Sequence, residues 1–155
     1  MTLHFAYGSN MSRALMGARC PAATALGLAT LPGWRFTINP NGFGSITPHP
    51  GGLVHGVLWR LTPRDLSAVN AYENLDAGLY LRRLLPIEYD GRHRAALAYV
   101  ARRQGVGRPR PGYVRLVVEA ARDWKLPEPY IRSLQRWSPF GWAAARAKDT
   151  GEGYW

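Results

Sequence analysis

Residues 62 to 101 read TPRDLSAVNAYENLDAGLYLRRLLPIEYDGRHRAALAYVA, and the two halves of this stretch follow different periodicities. Thr62 stands as N-cap, Pro63 takes the first helical position and Asp65 the third, a combination that opens a helix. Leu66, Val69 and Tyr72 continue it at helical spacing. Tyr80–Tyr89 and Arg94–Ala101 then read as strands joined across Asp90-Gly91, a two-residue hairpin signal. A helix followed by an antiparallel hairpin is the grammar of an α+β domain.

Upstream, Leu3, Phe5 and Tyr7 alternate onto one strand face, and Gly8 stops it. A short helix is expected over Arg13–Met16, with Asn10 or Ser12 as its cap. Four extended runs follow, Ala25–Leu31, Trp34–Asn39, Phe43–Thr47 and Leu53–Leu61, separated by Pro32-Gly33, Pro40-Asn41-Gly42, Pro48 and Pro50-Gly51-Gly52. Downstream, Pro111-Gly112 opens a helix whose Val114, Val117, Val118 and Ala121 form one apolar stripe. A last helix from Pro129 to Trp137 turns Tyr130, Leu134 and Trp137 inward. The expected architecture is a largely antiparallel or mixed sheet, curved or closed at its glycine breaks and flanked by helices. There is no repeat and no linker, so residues 1–137 form one domain, and the tail 138–155 is expected to pack on it.

The chain has 155 residues, enough to bury about 68–70% of the surface its unfolded form exposes. Charged residues make up 19% and hydrophobic ones 46%, which excludes intrinsic disorder. A lone Cys20 points to a reducing compartment, and neither a leader pattern nor a membrane-length apolar run is present. The expectation is a cytoplasmic protein. The formal net charge is +10, and 18 of the 20 basic residues are arginine. Arg82-Arg83, Arg92-His93-Arg94, Arg102-Arg103, Arg108 and Arg110 cluster along the chain. Such a balance favours polyanions, yet it names no groove, base or motif and also follows from an Arg-, Ala-, Gly- and Pro-rich composition.

Two features carry candidate chemistry. Glu73 lies seven after Leu66 and four after Val69, on the apolar face if the helix reaches it. A carboxylate there is costly to desolvate unless it is paired or its pKa rises, and a pKa raised toward neutrality is what a general acid/base needs. The alternative ends the helix at Tyr72 and leaves Glu73 in a wet loop. The second feature, Tyr7-Gly8-Ser9-Asn10, is a strand turning into a helix through glycine, which presents backbone N–H groups to an oxyanion or carboxylate. It is also an ordinary turn, and it is not a phosphate-binding P-loop. His4, His49, His55 and His93 show no metal-ligand spacing, so no metal is expected. Cys20 reads as a buried thiol, Ser9 is not in a nucleophile elbow, and no dinucleotide fingerprint or RNA-binding signature occurs.

Taken together, several stretches resemble the γ-glutamylcyclotransferase-like family. They are Phe5-Ala6-Tyr7-Gly8-Ser9-Asn10-Met11, Arg19-Cys20-Pro21-Ala22-Ala23 before Gly27-Leu28-Ala29, the strand Val54–Leu61, the helix from Leu66 into Glu73, and Pro109–Leu134 with Tyr113. The resemblance spans about residues 5–135 in order. It implies a small mixed β-barrel flanked by helices, cyclisation of a γ-glutamyl amide to 5-oxoproline with release of an amine, and neither metal nor cofactor. It also implies Glu73 as the catalytic acid/base, with Tyr7, Gly8, Ser9, Asn10, Met11 and Tyr113 binding the glutamyl group. The leaving amine is free, or belongs to a protein lysine or carrier. The chain departs from the family at Asn74, where a glycine is usual, and at Glu119-Ala120, where a Gly-Ala pair is usual. The expected partner is thus a small γ-glutamyl substrate. The alternative is a non-catalytic anion- or nucleic-acid-associated protein on the same scaffold. The expected contact residues include no arginine, which leaves the basic surface secondary.

Overall fold

A computed structural model describes residues 1–73 and 78–138. Its elements run β1 (Thr2–Ala6), a 3-10 turn (Ser9–Met11), α1 (Arg13–Arg19), β2 (Thr24–Ile38), β3 (Gly44–Leu61), α2 (Pro63–Tyr72), β4 (Tyr80–Tyr89), β5 (Arg92–Ala101), α3 (Tyr113–Asp123) and α4 (Glu128–Gln135). The five strands close a barrel in the order β1-β3-β2-β4-β5. Neighbours are antiparallel except β5 and β1, which meet in parallel at His4 and Leu97. The expected barrel with flanking helices is the observed architecture.

Strand alternation divides the apolar residues between two cores. Phe5, Leu31, Val54, Leu58, Leu85, Ile87 and Ala96 fill one cluster. Ala6, Val57, Trp59, Leu61, Tyr80 and Tyr99 join Val69, Val117, Val118, Ile131 and Leu134 in a second, where helices cover the sheet. The predicted stripe of α3 is buried throughout, and Asp90 and Gly91 both take positive φ (52° and 72°), as a type I′ hairpin requires. α4 stops at Gln135, two residues short of the expected Trp137; Ile131 and Leu134 are fully buried, whereas Tyr130, and Trp137 beyond the helix, are only half-buried against the same core.

The structure corrects the strand count. The four runs up to residue 61 are two long strands: Pro40-Asn41-Gly42 is the turn between them, as expected, but Pro32-Gly33 and Pro50-Gly51-Gly52 fall at a bulge and Pro48 stays in the ladder. Trp34 pairs with Pro48 and Pro32 with Leu53, so His49–Gly52 stand opposite Gly33 alone. Gly33 and Gly51 take φ of 81° and 78° there, and a Cβ on Gly52 would lie 2.4 Å from the Trp34 carbonyl oxygen. No helix among the described residues is long and apolar enough to cross a membrane. The tail beyond Ser138 lies outside the described residues, as does Asn74.

Candidate active site

Helix α2 delivers Glu73. Its start is a reciprocal capping box, with Thr62 Oγ1 accepting from Asp65 N–H and the Asp65 carboxylate accepting from Thr62 N–H. The helix ends at Tyr72, yet Glu73 still donates its N–H to the Val69 carbonyl at 2.9 Å. Each sequence alternative is therefore half right. The helix stops where the second placed its end, but the side chain stays on the inward face proposed by the first.

That side chain enters a cavity of about 140 Å³ shared with Tyr7, Gly8, Ser9, Asn10, Tyr80, Tyr99 and Tyr113. The barrel order makes the meeting possible, since it sets the turn after β1 beside residues some sixty positions later. Asn10 donates from Nδ2 to Glu73 Oε1 at 3.3 Å, and Ser9 Oγ lies 3.2 Å from the Tyr72 hydroxyl. Ser9 and Asn10 are buried polar residues that open the 3-10 turn, where backbone N–H groups have no intrahelical carbonyl to use.

Gly8 owes its identity to a close approach. A Cβ at this position would stand 2.8 Å from Tyr113 Oη. The same hydroxyl would meet a Cβ on Gly44 at 2.6 Å, and it lies within hydrogen-bond reach of the Gly44 and Ser9 backbone. Two glycines thus admit one phenol to the cavity wall. Gly112, in the left-handed conformation at φ 77°, sets the start of α3 from which Tyr113 projects.

The electrostatics follow from burial. Desolvation pushes the Glu73 carboxyl up to about 7, and the Arg19 guanidinium pulls weakly the other way. Burial also raises Tyr7, Tyr80, Tyr99 and Tyr113, which stay neutral hydroxyls. Tyr7 donates to the Tyr99 carbonyl, and Tyr80 donates to the Gly44 carbonyl at 2.8 Å. His4 borders the cavity too, with its ring 3.1 Å from the Leu97 carbonyl through Nδ1 and its pKa lowered by burial to about 4, so it is uncharged at neutral pH. Glu73 is the cavity's one carboxylate among the described residues. The arrangement can move a proton to and from a neighbouring nitrogen while holding polar groups with hydroxyl and amide donors.

Not every expected residue arrives. Met11 is fully buried in the helix-side core, its N–H donates to the Gly8 carbonyl at 3.0 Å, and its own carbonyl accepts from Trp124 Nε1 at 2.7 Å. With both backbone groups engaged, Met11 supports the turn from behind and does not line the cavity. Glu119 faces solvent and pairs with Arg115 one turn earlier at 3.0 Å, away from the cavity wall. Cys20 is buried against the Asp65 carbonyl, with its thiol pushed up to about 11. No His, Cys, Asp and Glu cluster among the described residues could hold a metal ion. A second cavity, of about 170 Å³, is lined in part by Arg35, Thr37, Ser45 and Arg103.

Sequence reasoning passed over Arg19, Tyr72, Tyr80 and Tyr99. Arg19 was visible only as part of the Arg-Cys-Pro segment, although it closes a helix beginning three residues after Asn10. Arg82, Arg83, Arg92, Arg94, Arg102, Arg103, Arg108 and Arg110 are all exposed.

Comparison with known proteins adds three findings. Residues 53–134 match the model of the AIG2-like family. Gamma-glutamylcyclotransferase of Bos taurus is 28% identical over 152 residues, covering 88% of this chain and 79% of the relative, and the Homo sapiens protein of that name is 24% identical over 148. A solved structure named gamma-glutamyl cyclotransferase superposes with a TM-score of 0.80 at 24% identity, over 86% of this chain and 85% of that one. YkqA from Bacillus subtilis gives 0.75 at 23% identity, over 87% of this chain and 53% of its own.

Proposed function

The chain belongs to the AIG2-like family, and from that premise we propose that it cyclises a γ-glutamyl amide to 5-oxoproline and releases the amine, with Glu73 as general acid/base. One observation carries the reading. The Glu73 carboxyl, held at about 7, faces the Gly8-Ser9-Asn10 turn inside a single cavity.

The chemistry needs one group to act twice. The lone pair of the neutral α-amino group attacks the γ-carbonyl carbon, and ionised Glu73 accepts the proton which that nitrogen loses as the bond forms. The new C–N bond closes a five-membered ring, and the carbonyl electrons move onto oxygen. When the oxyanion collapses, the bond to the leaving nitrogen breaks, and protonated Glu73 returns its proton to that nitrogen. No water is consumed. A carboxyl of near-neutral pKa suits both directions. The Gly8–Asn10 backbone and the Tyr113 hydroxyl would hold the oxyanion and the substrate carboxylate. Tyr7 and the turn would keep the glutamyl chain folded for ring closure. Met11 takes no part in holding the substrate, since its N–H is already bonded within the turn.

The test is 5-oxoproline release from a panel of γ-glutamyl amino acids, γ-glutamyl amines, glutathione and γ-glutamyl lysine, with wild type and Glu73→Gln. Loss of turnover by about 10²–10⁴-fold in the variant, with the fold retained, is expected. Equal turnover in both proteins would sink the mechanism. No release from any substrate, together with salt-dependent retention on RNA, would move the reading to an anion-associated scaffold built on the exposed arginines.

A further inference from the structure

We infer that Arg19 is the positioning residue of this site, fixing which end of the Asn10 amide faces Glu73. The inference rests on the proposed acid/base role of Glu73, and it stands on geometry. Arg19 closes α1 and is half-buried. Its guanidinium lies 3.3 Å from the centroid of the Tyr72 ring, and its Nη1 donates to Asn10 Oδ1 at 2.7 Å. A planar cation can stack through its face and donate from its edge at once.

The bond to Asn10 has a directional consequence. An asparagine amide offers an acceptor at one end and a donor at the other, whereas arginine only donates. Arg19 therefore claims the oxygen, and the NH₂ end turns to Glu73 Oε1 at 3.3 Å. Were the amide reversed, oxygen would face carboxylate. Tyr72, the residue before Glu73, is held from one side by Arg19 and from another by Ser9 Oγ at 3.2 Å. So α1, the 3-10 turn and the end of α2 are clasped where Glu73 leaves its helix.

Arg19 also acts through charge. The groups around Glu73 come from every neighbouring element: Tyr72 beside it on α2, Asn10 from the turn, His4 on β1 (uncharged at neutral pH) and Tyr7 after it, Tyr80 from β4, Tyr99 from β5 and Tyr113 from α3. The tyrosines are neutral, and Arg19 is the cation that favours ionised Glu73. Arg13 supplies an internal control. On the same helix it stacks on Trp124 at 3.5 Å and pairs with Asp123 at 3.1 Å, exposed and bonded neither to Asn10 nor to Glu73.

The experiment compares Arg19→Lys, Arg19→Met and Arg13→Met with wild type by two readouts. One is the pH profile of kcat/KM for 5-oxoproline release. The other is the ¹³C carboxyl titration of Glu73 in ¹³C-glutamate-labelled protein, assigned by the signal lost in Glu73→Gln. Arg19→Met should raise the Glu73 titration and move the acid limb to higher pH, because less carboxylate survives at a given pH, and lower kcat by about 10–100-fold. Arg19→Lys keeps the charge but cannot stack and donate together, so kcat should fall while the titration stays near that of wild type. Arg13→Met should match wild type in both. If Arg19→Met matches wild type in titration and kcat, the inference is wrong. Should Arg19→Met fail to fold, Arg19→Lys decides alone: kcat lowered at unchanged titration supports the role, and both unchanged overturns it. If wild type releases no 5-oxoproline, the functional reading fails, while the titration arm still decides whether Arg19 sets Glu73.

Discussion

Replacing Glu73 with glutamine should remove turnover and yet stabilise the protein, by an amount that grows as pH rises from about 4.5 to about 7. The carboxyl moves from an ordinary 4.5 to about 7 because burial disfavours its charge. At about 1.4 kcal/mol per tenfold change, holding it ionised in the folded state costs up to about 3 kcal/mol at pH 8.5. Water entering the cavity screens part of this, leaving about 1–2 kcal/mol to be measured. Because the folded pKa lies above the unfolded one, the neutral carboxyl imposes no cost below about pH 4.5. The penalty then builds as pH rises to about 7 and levels off beyond it. Glutamine keeps the shape and the oxygen that accepts from Asn10 but has no charge to desolvate. Paired melting curves at pH 4 and pH 8.5 read the difference directly, since His4, held at about 4, titrates alike in both proteins and cancels. The Glu73→Gln protein should melt within about 1 °C of wild type at pH 4 and several degrees higher at pH 8.5, at about 2–4 °C per kcal/mol for this size. An offset that is the same at both pH values, or a variant less stable at pH 8.5, would refute the claim that burial tunes this carboxyl.

Two further substitutions test the walls of the cavity. Gly8→Ala drives a methyl to 2.8 Å from Tyr113 Oη, so urea unfolding should show a loss of about 1–3 kcal/mol. Adding Tyr113→Phe removes the obstructing oxygen, and the double-mutant cycle should then show a favourable coupling of at least ~0.5 kcal/mol; strict additivity would mean that Gly8 is required for another reason. Glu119→Ala breaks only an exposed pair with Arg115, so stability should change by less than about 0.5 kcal/mol and kcat/KM should not change. A large kinetic effect would place Glu119 on the substrate path after all.

Much of the barrel was readable because local rules and tertiary demands agree. Thr62-Pro63-x-Asp65 specifies the start of α2 by hydrogen bonds that the structure forms, and Asp90-Gly91 supplies the two positive φ angles of a type I′ turn. Where reading failed, a local signal had a second structural use. Pro32-Gly33 and Pro50-Gly51-Gly52 look like chain breaks because both residues interrupt regular pairing. Here one long antiparallel pair absorbs them as a bulge, a choice that depends on the rest of the barrel rather than on residues 32–52. Met11 failed for a related reason. Motif adjacency put it with Ser9 and Asn10, but a 3-10 turn advances about 120° per residue and sends its side chain to the core.

The cavity was legible in its centre and not at its edge. Glu73 and the Tyr7–Asn10 turn announce themselves by residue type and position. Tyr80 and Tyr99 do not, since an aromatic residue in a strand is ordinary, and only the β1-β3-β2-β4-β5 order brings them to the same hollow.

The arginines sharpen the same distinction. The net charge of +10 invites a reading in terms of surface potential, and the clustered arginines are indeed exposed, where solvent and salt weaken charges within about 8 Å at physiological ionic strength. Arg19 stands outside those clusters, half-buried, stacked on Tyr72 and one amide away from the carboxylate. No arginine among the described residues lines the cavity, yet Arg19 stands just behind its wall. A surface excess of positive charge can raise the local concentration of an anionic substrate, but it cannot choose the orientation of Asn10. A single cation at 2.7 Å can, so position outweighs number in what the arginines of this chain contribute to the site.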